Sequence, residues 1–478
     1  MGKRSLKVNA ILNVIKEAVN ILFPIITFPY VSTTLGTFGY GKYTYSAYIV
    51  SYITYIAAAG ILRYAVRECA VVRDNKKKVE ELVNEIYTIN IFTTIIAFAI
   101  LAVLLIFWPK LHPLAVPILI LSLMVLFATL GCDWVNSAFE DFAFIAIRHV
   151  ICQTLALGLV FALVRTSDDV VGYAIASSFG VVVPNIINRI HLKKAYGITP
   201  RFSPKSAYKK HIKAIALLFA STIGTYIYIN SDVTILGIFY DDDIVGIYGV
   251  SGRYYTLIKQ IINAAFIVLI PRISKELAKD THKSVEALKK ILGLTIVAIV
   301  PASVGLIMIR KNLILLFQDE TYARAESSIL ILAIAIIPAL LANFYINIVM
   351  IPLKREKQVM IATLVSAGVN IVLNLIFIPL FAENAAAATT LLSEFVMLGL
   401  GMYWTRDMHI KGVLKPVIAS LTGGIGIAGL CFYINSVVSR PLWGVLLPVL
   451  FCGILYLAVL FVFFHKEIIS LVKNKKLI

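Results

Sequence analysis

Charged residues are scarce in this sequence, and acidic residues are the scarcest. Only 15% of the 478 residues are Asp, Glu, Lys or Arg, and 26 acidic residues stand against 44 basic ones. Soluble globular domains carry about 25% charged residues, whereas 60% of this chain is hydrophobic and its mean hydropathy is +0.88. This composition excludes an ordinary soluble protein.

Cysteine and histidine are also few. The five cysteines are dispersed, no two of them form a C-x-x-C pair, and no His lies at the spacing of a metal site. We therefore predict neither disulfides nor structural zinc, and we expect no metal and no cofactor.

A complete nucleotide-binding motif is missing. The stretch from Gly36 to Tyr43 follows P-loop spacing, but Tyr43 stands where the motif requires Ser or Thr. This stretch is also predicted to be an external turn after a membrane helix. A G-x-G-x-x-G pattern at Gly424, Gly426 and Gly429 lies within an apolar segment, where small residues favour close helix packing. The sequence therefore indicates no ATPase.

Large hydrophilic segments are missing as well. The longest connections between apolar runs have about 20 residues and are basic, whereas a membrane-embedded glycosyltransferase or polymerase normally needs a large loop with acidic or His catalytic residues. We predict that the protein is not an enzyme and has no catalytic residues.

Long apolar runs are what the sequence does contain. They extend for roughly 20 residues each, the length at which a helix crosses a bilayer. We predict an all-α polytopic membrane protein with about fourteen transmembrane helices. The predicted spans are 8–32, 43–62, 85–107, 113–135, 144–165, 170–190, 212–239, 245–271, 289–309, 325–351, 359–381, 385–405, 414–436 and 442–464.

Basic residues are distributed unevenly among the predicted connections. Most of the 44 fall on one side when both termini are placed in the cytoplasm, as the positive-inside rule requires. We predict a multi-pass protein of the bacterial cytoplasmic (inner) membrane with cytoplasmic N and C termini. The net charge of +18 then meets the headgroups of membrane lipids, and no nucleic-acid partner is expected.

A faint internal repeat relates the two halves of the chain. Gly36 and Gly41 recur in order as Gly237 and Gly246, an offset of about six spans. The same direction of crossing in both copies predicts two six-helix lobes related by an axis along the membrane normal.

The repeat also predicts a division into domains. We expect residues 1–200 to form an N-lobe of helices 1 to 6, and residues 201–410 a C-lobe of helices 7 to 12. Residues 411–478 then form helices 13 and 14 and a basic cytoplasmic tail.

Polar side chains form stripes on the first two helices of each predicted lobe. An ionisable group at bilayer depth costs about 2.5 to 3.5 kcal/mol on insertion scales, so it should face other helices or water. The stripes can converge between the lobes, where alternating-access transporters hold their substrate. They comprise Asn9, Asn13, Lys16 and Asn20; Tyr45, Tyr48, Tyr52 and Tyr55; Ser221, Thr225, Tyr228 and Asp232; and Arg253, Thr256, Gln260 and Asn263.

Arg253 is the first candidate for substrate contact, because it lies about 13 Å below the outer end of its span and near the bilayer midplane. The predicted substrate-binding residues are Arg253, Lys16, Lys259, Asn13, Asn20, Tyr48, Tyr52 and Gln260. The predicted ion-coupling residues are Asp232, Glu394 and Glu17. With no ATPase signature, the energy for transport has to come from a sodium or proton gradient, the membrane potential or the substrate gradient.

Structural interpretations of the same residues stay open. Lys16 with Glu17, or Arg253 with Asp232, could form ion pairs that only hold helices together. Lys259 could extend its ammonium group toward the cytoplasmic surface. The tyrosine stripe also fits ordinary packing between helices.

Two stretches resemble a known family. The segment from Val369 to Pro379, with Asn370 and Asn374, and the small-residue run that leads to Glu394, resemble the eleventh and twelfth helices of Wzx-type polysaccharide flippases. The residues from Phe28 to Tyr43 resemble the first loop of that family, except that Thr33 and Thr34 stand where many members carry an Arg before the Leu-Gly pair. The wider grouping is the MOP exporter superfamily.

The resemblance implies a function. Such a protein would flip polyprenyl-diphosphate-linked oligosaccharide repeat units across the cytoplasmic membrane by alternating access, for surface polysaccharide biosynthesis. It implies a polysaccharide polymerase and related assembly proteins as partners. Alternative functions are a peptidoglycan-precursor (lipid II) flippase and a MATE-type multidrug exporter, which should prefer an acidic cavity.

Overall fold

We describe a computed structural model of the chain. It describes the backbone of residues 6–203, 209–277, 281–410 and 412–473. Side chains are described for these residues except 6–15, 17, 209, 217, 220–222, 225, 265–277, 281–284 and 468–473.

Helices account for the regular structure of the described chain, which contains no strand. Fourteen α-helices follow one another: α1 (Leu6–Ala58), α2 (Ile61–Val72), α3 (Lys76–Phe107), α4 (Ala115–Gly131), α5 (Trp134–Ala138), α6 (Phe142–Leu163), α7 (Val170–His191), α8 (Lys209–Phe239), α9 (Asp242–Leu277), α10 (Thr281–Phe317), α11 (Ala325–Asn343), α12 (Glu356–Trp404), α13 (Leu414–Val437) and α14 (Pro441–Lys473). A π-helix, Phe344–Met350, extends α11. The predicted all-α fold class is confirmed.

The fourteen helices do not correspond one to one with the fourteen predicted spans. Helices α1 and α12 have 53 and 49 residues, and each contains two predicted spans, because about 20 helical residues suffice to cross a bilayer. Helices α2 and α5 have 12 and five residues and are too short to cross. Ten segments of the described chain are long and apolar enough to span a membrane. Helices α8 and α9 match the seventh and eighth predicted spans.

The predicted turn between the first two spans is wrong in extent. Residues on both sides of Gly36 are helical, and the chain changes direction at Gly36 alone, with φ 65° and ψ −179°. This conformation is essentially restricted to glycine, because a Cβ atom would clash with the backbone. The P-loop-like stretch from Gly36 to Tyr43 is therefore mostly helix, and it cannot form the loop that holds a phosphate.

The chain divides into two compact units, residues 1–246 and 247–478. Helix α8 belongs to the first unit, where the Tyr226 ring stacks on Tyr55 of α1 and the Tyr52 hydroxyl lies 3.0 Å from Thr234 Oγ1. This division reflects packing, and the division predicted from the repeat, at residues 200 and 410, stays a prediction. The orientation of the termini also stays a prediction.

In the second unit, α12 folds back on itself at Ala382, which has φ 48° and ψ −128°. The two ends of this hairpin are joined by Arg355, whose guanidinium donates to both carboxylate oxygens of Asp407 at 2.9 and 2.5 Å. Hydrogen bonds from Arg355 lower the pKa of Asp407 below its usual range. The pair closes the helical hairpin at the end of the membrane segment.

Two of the three glycines of the α13 pattern serve helix packing, as predicted, whereas a Cβ atom at Gly429 would meet nothing within 4 Å. A Cβ atom at Gly424 would lie 3.1 Å from Val300 of α10, and one at Gly426 would lie 3.1 Å from Leu455 of α14. Both glycines therefore allow neighbouring helices to approach closely.

In the first unit, α1 crosses the start of α9 at two glycines. A Cβ atom at Gly41 would overlap the Asp242 carbonyl oxygen, and one at Gly246 would overlap the Thr37 carbonyl oxygen. No side chain fits between the two backbones. The recurrence of glycine at these positions thus has a steric reason.

We expect Gly41→Ala to destabilise the protein by about 1–3 kcal/mol, the usual cost of overpacking. The matched control is Gly158→Ala in α6, where an added Cβ meets nothing within 4 Å and helix propensity favours alanine. Thermal unfolding in detergent measures the melting temperatures of both variants. Equal melting temperatures for the two variants would contradict the close crossing.

Candidate functional site

A polar and accessible stripe runs along α9. Arg253 is half-buried, Thr256 and Gln260 are exposed, and Asn263 is half-buried. Buried Ser251, Tyr255 and Leu257 lie on other faces of the helix. Polar side chains with open surface inside a membrane segment belong against water rather than lipid.

Arg253 lies eleven residues after the first residue of the 36-residue helix α9, or about 16 Å along it. Within the described part of the chain, its guanidinium forms neither an ion pair nor a hydrogen bond. A charge at this depth that lacks a carboxylate partner is available to an anionic ligand.

Lys259 and Glu394 were predicted to have separate roles, in substrate binding and in ion coupling. The structure brings them together: Lys259 Nζ lies 3.0 Å from Glu394 Oε1. Tyr255 completes the group, because its hydroxyl donates to the same oxygen at 2.8 Å and its ring lies 4.5 Å from the ammonium nitrogen. Glu394 is 5% exposed, so this ion pair joins α9 to α12 in the interior of the second unit.

Among the predicted residues of the first unit, Asn20 and Tyr52 contact neighbouring helices. Asn20 Oδ1 lies 2.6 Å from His149 Nε2 of α6. Lys16 and Tyr48 are half-buried, and Asp232 is 9% exposed. Among the predicted polar residues, Asn9, Asn13, Glu17, Ser221 and Thr225 lie outside the described side chains.

Two charged clusters of the first unit were not among the predicted site residues. Arg148 is 7% exposed and its Nη2 donates to Asp133 at 2.8 Å. Asp133 is the N-cap residue of α5. His211 lies 2.7 Å from Glu85 and 2.6 Å from the hydroxyl of Tyr64.

The only sequence signal for these clusters was a charge close to the end of an apolar run. That signal does not say which helix supplies the partner. The partners come from α4–α5 and α6 in one cluster, and from α2, α3 and α8 in the other, so the pairing depends on the tertiary arrangement.

The family can now be assigned from comparison with known proteins. Residues 6–277, more than half of the chain, match the sequence profile of the family described as "Polysaccharide biosynthesis protein". The chain belongs to this family. A protein of Escherichia coli (strain K12), named "Putative O-antigen transporter", is 22% identical over 347 residues, which are 72% of this chain and 83% of that protein.

Solved structures show the same fold. The lipid II flippase MurJ in an inward closed conformation superposes with a TM-score of 0.74 at 16% identity, over 96% of this chain and 99% of that chain. An inward-facing multidrug resistance MATE family transporter of the MOP superfamily superposes with a TM-score of 0.58 at 13% identity, over 87% of this chain and 97% of that chain. This chain therefore has the fold of these two proteins.

These comparisons confirm the resemblance drawn from the sequence. The matched proteins are transporters and flippases, not enzymes, and this chain is a multi-pass inner-membrane protein. Its candidate site is the accessible stripe of α9, and the Lys259–Glu394 pair lies beside the stripe.

We expect Glu394→Gln to destabilise the protein by about 3 kcal/mol, because it leaves the Lys259 charge without its partner. This value is at the lower end of the cost of breaking a buried pair, since the Lys259 side chain is 26% exposed and stays partly hydrated. The double variant Lys259→Met with Glu394→Leu should recover most of this loss, since no unpaired charge remains. Thermal unfolding of the single and double variants measures the coupling.

A matched control is Glu286→Gln, which removes an ion pair whose side chains are 69% and 72% exposed. Exposed pairs contribute about 0–1 kcal/mol, so this variant should melt close to wild type. A double variant less stable than Glu394→Gln alone would rule out a coupled pair.

Proposed function

We propose that this protein is a flippase that moves polyprenyl-diphosphate-linked oligosaccharide units across the bacterial cytoplasmic membrane for surface polysaccharide biosynthesis. The observation that supports this most is Arg253, a half-buried guanidinium on the accessible stripe of α9 without a carboxylate partner among the described residues. Membership in the polysaccharide biosynthesis family supports a role in the synthesis of polysaccharides.

The chemistry of Arg253 fits a lipid diphosphate. A guanidinium donates two parallel hydrogen bonds to phosphate oxygens, and such charge-assisted bonds are about twice as strong as neutral ones. Because the charge forms no ion pair within the described chain, binding an anion does not require an existing pair to break. A cationic drug would meet electrostatic repulsion at the same position.

The other predicted residues divide into two groups in this proposal. Gln260, exposed on the same stripe, is a second contact to the headgroup. Lys259 stays paired with Glu394 and positions α9, so we no longer propose it as a direct substrate contact. Lys16, Asn13, Asn20, Tyr48 and Tyr52 stay proposed contacts of the first unit.

Energy coupling is a separate part of the proposal. Asp232, Glu394 and Glu17 remain the candidate carboxylates for binding sodium or a proton. Glu394 already accepts hydrogen bonds from Lys259 and Tyr255, so an ion that binds there has to release Lys259. The membrane potential alone is the third source of energy.

We further propose that a polysaccharide polymerase receives the translocated units.

The experiment is a flipping assay with purified protein in liposomes. It compares a polyprenyl-diphosphate oligosaccharide, lipid II and a cationic drug as substrates. Faster flipping of the oligosaccharide lipid is the expected result. Preference for lipid II would assign the alternative flippase function, and transport of the drug alone would overturn the proposal.

We expect Arg253→Ala to slow flipping of the oligosaccharide lipid by about ten- to a hundredfold, because one or two charged hydrogen bonds are lost. Arg253→Lys should restore only part of the rate, since the ammonium group cannot form the two-pronged contact. Arg440→Ala is the matched control, because Arg440 is exposed in the connection before α14. A wild-type rate for Arg253→Ala would remove Arg253 from the site.

A further inference from the structure

Three asparagines form a chain of amides at the far end of the α9 stripe. Asn343 of α11 donates from Nδ2 to Asn263 Oδ1 of α9 at 2.5 Å, and Asn347 of the π-helix donates from Nδ2 to Asn343 Oδ1. All three side chains are half-buried. The amides thus connect α9 to the π-helix Phe344–Met350 at an accessible surface.

These amides keep unused hydrogen-bonding capacity. Each asparagine has two N–H donors and a carbonyl acceptor with two lone pairs. Among the described residues, no protein group bonds to the amide nitrogen of Asn263 or to the carbonyl oxygen of Asn347. Neither atom is sealed from the surface, so both can bond to water or to a ligand.

A second amide chain in the same unit shows the contrast. Asn374 Nδ2 donates to Asn370 Oδ1 at 3.0 Å, and Thr389 Oγ1 donates to Asn374 Oδ1. Asn370 and Asn374 are 1% and 0% exposed. This second group of side chains lies in the interior of the α12 hairpin, where amides hold helix segments together. The amides of Asn263, Asn343 and Asn347 are instead accessible to ligands.

The backbone that carries Asn347 is also unusual. Asn347 lies on a π-helix of seven residues, and π-helical turns are rare and often found at functional sites. Asn347 follows Asn343 by four residues, a spacing at which side chains lie next to each other on a helix, and the two amides are hydrogen-bonded.

We propose that Asn263, Asn343 and Asn347 form a binding subsite for the sugar hydroxyl groups of the transported lipid. Asn263 lies ten residues beyond Arg253 on α9, or about 15 Å, so a diphosphate at Arg253 can extend its sugars along the stripe to the amides. Amides both donate and accept, as sugar hydroxyls do. This inference rests on the proposed function and adds the position at which the glycan is recognised.

Equilibrium binding to protein in lipid nanodiscs tests the subsite with two probes. One is undecaprenyl diphosphate without sugar, and the other is undecaprenyl diphosphate that carries a neutral tetrasaccharide. Wild type should bind the glycosylated probe more tightly. In Asn347→Ala, affinity for the glycosylated probe should fall by about five- to tenfold, the effect of one hydrogen bond, while affinity for the sugar-free probe stays unchanged.

Asn435→Ala is the matched control, because Asn435 accepts a hydrogen bond from Asn312 at 3.0 Å in a separate amide pair of the same unit. It should keep the wild-type preference, and thermal unfolding should show whether either variant is destabilised. If Asn347→Ala does not fold, Asn263→Ala gives a second measurement at the other end of the amide chain.

The outcomes separate this inference from the proposed function. No preference for the glycosylated probe in wild type, or an unchanged preference in both Asn347→Ala and Asn263→Ala, would overturn the sugar subsite. Failure of wild type to bind either probe would instead overturn the proposed function. Arg253→Ala should weaken binding of both probes, which distinguishes the diphosphate contact from the sugar contact.

Discussion

The cost of an unpaired charge in a membrane governs the arrangement of this protein. Water is absent from the bilayer core, so each ionised side chain needs an opposite charge, a set of hydrogen bonds or a water-filled space. Lys259 and Glu394 satisfy the requirement by pairing between α9 and α12. Arg253, six residues before Lys259, has no such pair in the described chain, and it lies instead on the accessible stripe of α9.

The same constraint acts on the backbone. Each peptide group inside the membrane has to be hydrogen-bonded within the protein, so the chain remains helical wherever it meets lipid. Breaks occur at defined residues, Gly36 in α1 and Ala382 in α12, which separate one crossing from the next without a long loop. Close approaches such as that of Gly41 to α9 then hold neighbouring crossings at short distance.

Several features could be predicted because they depend on composition and local pattern. The spans follow from runs of apolar residues, and the packing role of Gly424 and Gly426 follows from small residues in an apolar helix. The stripe from Arg253 to Asn263 follows from helical periodicity, and the structure leaves its members accessible. The family could be recognised from Asn370, Asn374 and the segment that leads to Glu394, since these residues form a distinctive local pattern.

Other features could not be predicted, because they join residues far apart in the chain. Lys259 and Glu394 are 135 residues apart, and Tyr64 and His211 are 147 apart, so nothing in either local segment identifies the partner. The amide chain from Asn263 to Asn347 likewise depends on the contact of α9 with the end of α11. Even the turn at Gly36 was predicted to be too long, because φ 65° at a single glycine is enough to redirect a helix.

The sequence by itself determined that this chain crosses a membrane many times as helices and carries a small number of embedded charges, because hydrophobic length and the cost of burying charge act on each segment alone. The tertiary structure decided which of those charges are neutralised by protein and which remain available. A side chain is neutralised only by the atoms that packing places within hydrogen-bonding distance, and packing depends on the whole chain.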